Sequence, residues 1–280
     1  MIVCGITGST GVLGRKFIEK YKSKLKIVSF KGDITKKTDI EKWFKFNKFN
    51  LILHFAALVP TNLVEQNYNK AMKVNIEGTR NLSRVVLNQN SKIWFFFSST
   101  SHVYKYKKGN KKITENDLLL PFTKYGYTKL KAEKLLVSEF KKNNKLNQLC
   151  IGRIFSFTSY NQKKNFFIPN ITNKIKSKKN IKLINLNHFR DFISVNDICN
   201  AIFLLSKKNY SGIINICSGL TIKLELIAKI IATKLKKKIK LESSNKPTYI
   251  IGNNKKLKSL GWKQTENINN ILKNYLLNKK

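Results

Sequence analysis

Short apolar runs alternate with amphipathic stretches along the first half of the chain. Met1–Thr7 reads as a strand and Val12–Tyr21 as a helix. A strand at Lys26–Phe30 and a helix at Asp39–Lys48 follow. Leu51–Phe55 and Lys92–Ser98 (KIWFFFS) are apolar enough to be strands buried on both faces, with a long helix at Tyr68–Asn90 between them. An amphipathic helix at Lys124–Lys142 and a strand at Gln148–Phe155 complete the series. Such β-α alternation predicts an α/β fold, a doubly wound parallel sheet with helices on both faces. Beyond residue 156 the elements shorten: Lys164–Lys176, Ile181–Ile184, Asn196–Leu205, Gly212–Ile216, Leu224–Lys236 and Ile268–Leu277. The pattern predicts one domain over 1–155 and a smaller C-terminal α/β lobe over 156–280, with segments around 190–205 returning to the first.

Composition changes this picture little. The 280 residues are 42% hydrophobic, which excludes disorder over the whole chain. No stretch approaches the roughly 20 apolar residues of a membrane-spanning helix. Met1–Gly11 runs from a strand straight into a glycine loop and lacks the features of a signal peptide. Cys4, Cys150, Cys199 and Cys217 sit singly in apolar runs, as buried reduced thiols of a cytoplasmic protein do. The net charge is +40, yet only five of the 55 basic residues are arginines. Lys, Asn (33) and Ile (32) all have AT-rich codons, so base composition accounts for the excess. The lysines are scattered, with no run longer than Lys236–Lys238. Nucleic-acid surfaces cluster their charge and favour arginine, so neither nucleic acid nor membrane is expected as a partner.

Two segments carry chemistry. Thr7-Gly8-Ser9-Thr10-Gly11-Val12-Leu13-Gly14 follows a strand and opens a helix. There Gly8 permits a tight turn, Gly11 lets backbone approach a pyrophosphate, and Gly14 lets helix and strand pack closely. The helix start supplies free N–H groups and partial positive charge to phosphates, which makes the sheet Rossmann-type. Tyr125 and Lys129 lie four residues apart and share a helix face. A nearby ammonium favours a phenolate, so the pair is expected to move a proton to or from an alcohol oxygen. The segment Phe96–Tyr104 (FFSSTSHVY) before them ends a buried strand in hydroxyls, and Thr100 is placed to bond the same oxygen.

In these segments the chain resembles the extended short-chain dehydrogenases/reductases, in the NAD-dependent epimerase/dehydratase family acting on nucleotide-linked sugars. The glycine loop resembles TGxxGxxG, and Gly32-Asp33-Ile34-Thr35 the adenine-contact segment GD[IV]. His54-Phe55-Ala56-Ala57 resembles HxAA, and Val74–Thr79 resembles VNxxGT. Ser98–Tyr104 resembles SSxxVY, which puts Thr100 at the catalytic Ser/Thr. Pro121–Glu133 resembles PxxxYGxSKLxxE, and Arg190–Ile198 resembles RDFIxVxDI, whose arginine meets the substrate diphosphate. Asn215–Gly219 and Lys256–Trp262 resemble NxxxG and KxxxLGW. The resemblance implies Thr100, Tyr125 and Lys129 as catalytic. It implies Gly8, Thr10, Gly11, Val12, Leu13, Gly14, Asp33, Ile34, Phe55, Ala56, Ala57, Asn75, Ser98, Tyr125, Lys129 and Phe155 at the cofactor. Thr100, Ser101, His102, Ser156 and Arg190 are implied at the substrate, a nucleoside diphosphate sugar. It further implies a homodimer built through the two long helices, and a setting in surface-polysaccharide synthesis.

The departures set the alternatives. Only 19 residues separate Gly14 from Asp33, so a strand-helix unit usual in the family is missing or fused. Lys31 suits a 2′-phosphate and hence NADP; Asp33 on the ribose suits NAD, and the two stay open. Ser156 stands where many relatives carry Asn, and Lys105 where Gly is usual. Ser101-His102 replaces the Asp-Glu pair of the dehydratases. The expected activity is therefore that of a nucleotide-sugar epimerase or 4-keto reductase, with a dehydratase or a non-catalytic NAD(P)-binding regulator as alternatives. No His/Cys/Asp cluster has metal-ligand spacing, so no metal is expected. His54 is expected to pack under the cofactor loop, and Asn196 and Asp197 to cap a helix.

Overall fold

A computed structural model of the chain describes residues 1–59, 61–177 and 181–277. At its centre is a six-stranded sheet of β1 (Val3–Thr7), β2 (Lys26–Ser29), β3 (Leu51–His54), β4 (Trp94–Thr100), β5 (Leu149–Ile154) and β6 (Gly212–Ile216). The strands are all parallel, in the spatial order β6-β5-β4-β3-β1-β2. The main helices are α1 (Val12–Tyr21), α2 (Lys37–Lys45), α3 (Gly78–Leu87), α4 (Lys124–Lys142) and α5 (Val195–Lys207).

Side chains alternate across the strands and so build two cores. Trp94 and Phe96 join Phe17 of α1 and Ile198 and Ile202 of α5 on one face. Phe95 and Phe97 join Trp43 of α2, Leu82 of α3 and Leu136 of α4 on the other. The unbroken apolar run of β4 is thus a strand with a core on each side. The second lobe has its own core, where Ile171 and Ile175 meet Ile227, Ile231 and Leu272. Both α5 and β6 come from the second half of the chain yet complete the layers of the first. All four cysteines are free and buried. Among the described residues, no helix is long and apolar enough to cross a membrane.

Several elements differ from the sequence expectation. β4 begins and ends two residues later, which carries Ser99 and Thr100 into the strand. The expected helix over 68–90 is interrupted: Lys73–Glu77 widens into a π turn between a short helix at Tyr68–Met72 and α3. A short helix at Thr61–Gln66 carries too few turns to show a period in the sequence. One strand and one helix, β2 and α2, fill the span between α1 and β3, so the sheet ends at β2 and Asp33 lies just beyond its edge strand. Ser194, rather than Asn196 or Asp197, caps α5: its hydroxyl accepts the Asp197 N–H at 2.9 Å. Asp197 instead anchors the 265–266 segment, accepting N–H bonds from Thr265 and Glu266 at 2.9 and 3.1 Å.

Candidate active site

β1 and β3 are neighbours, with Thr7 opposite His54, and the chain order reverses between them. Crevices of this kind, outside the carboxyl ends of parallel strands, are where open α/β sheets take their ligands. Gly8 leaves β1 at φ 71°. A Cβ there would lie 2.6 Å from the Ala56 backbone nitrogen, so the loops after β1 and β3 close together only with glycine. A Cβ at Gly14 would run into the Gly8 carbonyl oxygen. α1 starts with no side-chain cap and no acidic residue in its first turn. Its first N–H groups and its positive end therefore face the crevice, beside exposed Thr10 and Gly11. Leu13 points into the core and Val12 is half-buried and packed against it.

The other residues expected at the cofactor divide into wall and support. Phe55, Ala56 and Ala57 are half-buried at the end of β3. His54 beneath them bonds Thr7 Oγ1 through Nδ1 at 2.7 Å and Thr79 Oγ1 through Nε2 at 2.9 Å. Burial pushes its pKa down to about 3, so it is a neutral strut. Asn75, in the π turn, accepts the Leu58 N–H at 2.7 Å and donates to Thr128 Oγ1 at 3.0 Å, tying the loop after β3 to α4. The Ser98 hydroxyl donates to the His54 carbonyl at 3.0 Å. Asp33 is exposed and accepts from both the N–H and the hydroxyl of Thr35, at 2.9 and 2.8 Å, which holds its carboxyl below the usual range. Ile34 packs into the core under α2 and α3. The Phe155 ring is only 2% exposed and belongs to a buried cluster with Val103, Tyr104 and Cys217.

Thr100, Tyr125 and Lys129 come together at the end of β4. Tyr125 lies in the first turn of α4, which the Thr123 hydroxyl caps by accepting the Gly126 N–H at 3.0 Å. A Cβ at Gly126 would collide with the His102 carbonyl oxygen; glycine lets α4 rest directly on the 3-10 turn Ser101–Val103. The Thr100 hydroxyl faces the Tyr125 phenol and favours its deprotonated form. Burial raises the phenol above its ordinary value, and the Thr100 hydroxyl offsets only part of that rise. Lys129 is 1% exposed, with Nζ 4.0 Å from the centroid of the Phe97 ring. Its pKa is pushed down to about 7 by burial, against the pull of Glu133 one turn further on. The expectation that an ammonium draws the phenol down is therefore not met. Burial penalises both charges, and Thr100 alone lowers Tyr125.

Beneath this group lies a polar network that sequence reasoning missed. Glu133 takes the Arg153 guanidinium at 2.7–3.2 Å and the Ser99 hydroxyl. Arg153 also donates to the Tyr104 hydroxyl at 2.9 Å, which donates to Asn215 Oδ1 at 2.7 Å. The signal was an arginine inside the apolar strand LCIGRI and a glutamate on the buried face of α4, four residues from Lys129.

Of the residues expected at the substrate, Ser101 is buried and Ser156 half-buried, in a short strand paired with Phe192. Arg190 donates to the Phe189 and Thr248 carbonyls and to the Thr248 hydroxyl at 2.8–3.0 Å, all neutral acceptors. Its guanidinium sits 5.5 Å from the Tyr106 ring, which stacks on Phe122 at 3.9 Å. Phe122 in turn stacks on His102, and His102 meets Tyr125 edge-on. One row of rings thus joins Arg190 to the phenol. The glycine cradle, the hydroxyl-ended β4 and the start of the Tyr-Lys helix all lie at the carboxyl edge of the one parallel sheet.

The sequence profile of the NAD dependent epimerase/dehydratase family matches residues 4–217. The chain belongs to this family. It is 30% identical over 226 residues to the GDP-6-deoxy-D-talose 4-dehydrogenase of Aggregatibacter actinomycetemcomitans, covering 77% of this chain and 74% of that one. It is 26% identical over 293 residues to the dTDP-4-dehydro-6-deoxyglucose reductase of Escherichia coli, covering 93% and 92%. The fold matches RMD from Pseudomonas aeruginosa complexed with NADPH, at TM-score 0.90 and 18% identity, over 100% of this chain and 99% of that one. It also matches the Thermus thermophilus UDP-glucose 4-epimerase complex with NAD, at TM-score 0.86 and 16% identity, over 98% and 99%.

Proposed function

We propose that this family member is an NAD(P)-dependent enzyme that transfers hydride at a carbon of a nucleoside diphosphate sugar, working as a 4-keto reductase or as an epimerase. The observation that carries the reading is the meeting of the Thr100 hydroxyl and the Tyr125 phenol at the carboxyl end of β4, on the same sheet edge as a glycine cradle where Cβ atoms at Gly8 and Gly14 would collide with backbone. That cradle and the uncapped start of α1 fit a dinucleotide's pyrophosphate. Bound NAD(P) supplies or accepts the hydride. Thr100 and Tyr125 hold the sugar oxygen, and Tyr125 moves the proton that balances the hydride. A phenol held protonated by burial is set to donate in the reductive direction and, as phenolate, to accept in the oxidative one. The two relatives named above, a 4-dehydrogenase and a reductase, are named for the two directions of such a hydride transfer. Lys129, with its pKa near 7, takes up a proton readily once a phenolate forms one turn away. Arg190, bonded only to neutral oxygens, is the cation for the diphosphate. We assign the cofactor to lobe 1–155 and the sugar to lobe 156–280, a cytoplasmic homodimer as the working unit, and surface-polysaccharide synthesis as the setting.

Denaturing the purified protein and identifying the released dinucleotide by mass tests the cofactor, and separates a tightly held NAD from an exchanging NADP. Tyr125→Phe tests the proton carrier. Turnover is expected to fall at least about 100-fold with dinucleotide binding retained; unchanged turnover defeats the assignment.

A further inference from the structure

Arg190 sits on a strand too short to hold its own place. Phe189–Arg190 pairs with Ile222–Lys223 on one side and Tyr249–Ile250 on the other, two residues each. The guanidinium takes its aim from the second neighbour, through the Thr248 carbonyl and hydroxyl, both at 3.0 Å. The next residue, Asp191, is 1% exposed and grips both sides at once. Its Oδ1 accepts the Ser218 N–H at 2.8 Å and the Ser218 hydroxyl at 2.7 Å. Its Oδ2 accepts the N–H groups of Gly219 at 2.8 Å and Gly252 at 3.2 Å. Residues 218–219 lead from β6 into the Ile222–Lys223 strand, and Gly252 closely follows Tyr249–Ile250. We infer that Asp191 is the positioning residue of Arg190: by pinning the segments on either side of that strand, it fixes the guanidinium where the substrate's diphosphate is received.

The inference rests on the reading of Arg190 as the cation for the diphosphate and deepens it. The carboxylate's seat is built for it. Gly219 stands at φ 74°, and a Cβ at Gly252 would run into Cys217 Sγ, so glycine at both places lets the two N–H groups converge on the acid. Asn254 closes the turn from behind, donating to the Ser218 carbonyl at 2.7 Å. Backbone dipoles and one hydroxyl, rather than a cation, balance the charge. Burial pushes the Asp191 pKa up to about 6 while the four bonds pull it down, so the group is ionised at neutral pH. Such a buried charge is expensive, and its bonds are spent on the two segments that frame Arg190. A carboxylate that merely held the fold together would, when removed, weaken every ligand, the dinucleotide included. A positioning residue acts on one ligand, and only while Arg190 is there to be positioned.

UDP-glucose, dTDP-glucose and GDP-mannose are titrated calorimetrically into the holoenzyme, each beside its nucleoside diphosphate, and the tightest sugar is taken further. Asp191→Asn keeps the side chain's size but turns an amide donor toward N–H groups. It is expected to weaken that sugar and its diphosphate alike, by about tenfold, with dinucleotide affinity unchanged. In turnover the loss is expected in KM, with kcat at saturation kept. Arg190→Met is expected to cost more, and Asp191→Asn added to it less than about twofold further. Should Asp191→Asn not fold, Ser218→Ala removes one donor and leaves the carboxylate; a smaller loss is expected, again absent beside Arg190→Met. Full sugar affinity in the folded variant, a dinucleotide affinity that falls in step, or an undiminished loss beside Arg190→Met overturns the inference and leaves the nucleotide-sugar reading standing. Full affinity in Arg190→Met removes the diphosphate role and the inference together. Binding of none of the three sugars by the wild type defeats the nucleotide-sugar reading as well.

Discussion

Lys129 has an ammonium where ammonium is expensive. Its folded pKa, about 7, lies below the ordinary lysine value, so between pH 7 and the unfolded value the unfolded chain holds a proton that the folded one has released. Stability from this group therefore rises with pH through that window. From pH 7 to pH 8, below most thiol titration, the wild type should gain about 1 kcal/mol relative to Lys129→Met in denaturant unfolding. Parallel curves for the two proteins would show that the lysine is charged in the fold. At this scale the sequence is legible in its spacings. Tyr125 and Lys129 share a face as their separation requires, and His54 is a strut under the cofactor loop. What one-dimensional spacing hides is dielectric: the Phe97 ring under Lys129 and the burial of Tyr125 reverse the expected direction of the phenol.

Between elements, the Glu133–Arg153 pair ties α4 to β5, and through Tyr104 and Asn215 reaches β6. Removing one partner of a buried pair leaves a charge with nothing to balance it. Arg153→Met should cost about 3–5 kcal/mol, read as a fall in melting temperature, and Glu133→Gln added to it should restore part of that loss. A double variant no better than the single would mean that the pair acts by packing alone. Sequence periodicity located the sheet strands and α4 closely, since long apolar runs and a 19-residue amphipathic helix leave little choice. The π turn at Lys73–Glu77 was not legible, because the extra residue exists to aim Asn75 at Leu58 and Thr128, both distant in sequence. Ser194 was missed as a cap for a related reason: Asp197 has cap chemistry but spends its carboxylate on residues 265–266.

Across the whole molecule a net charge of +40 repels itself, and among the described residues only a small share of the lysines meets an acid. Raising salt from about 50 to 500 mM shortens the screening length severalfold. The melting temperature should rise with it, while the apparent KM for an anionic nucleotide sugar should increase as attraction is screened. A melting temperature that ignored salt would mean the charges are already balanced by bound anions. The return of α5 and β6 to the first layers was legible only in part, since Gly212–Ile216 reads as a strand without saying which sheet it joins.

That return governs how such a chain can be rearranged. β6 pairs with β5 from Cys150 to Ile154, and α5 covers the face shared with α1. A break after residue 155 would strip the sheet of its outer strand and lay bare the apolar flank of α1. The second lobe is therefore not a cassette. Exchange of substrate preference between homologues by recombination would have to proceed through the loops that emerge between β5 and β6, with the strands at either end kept as a matched set.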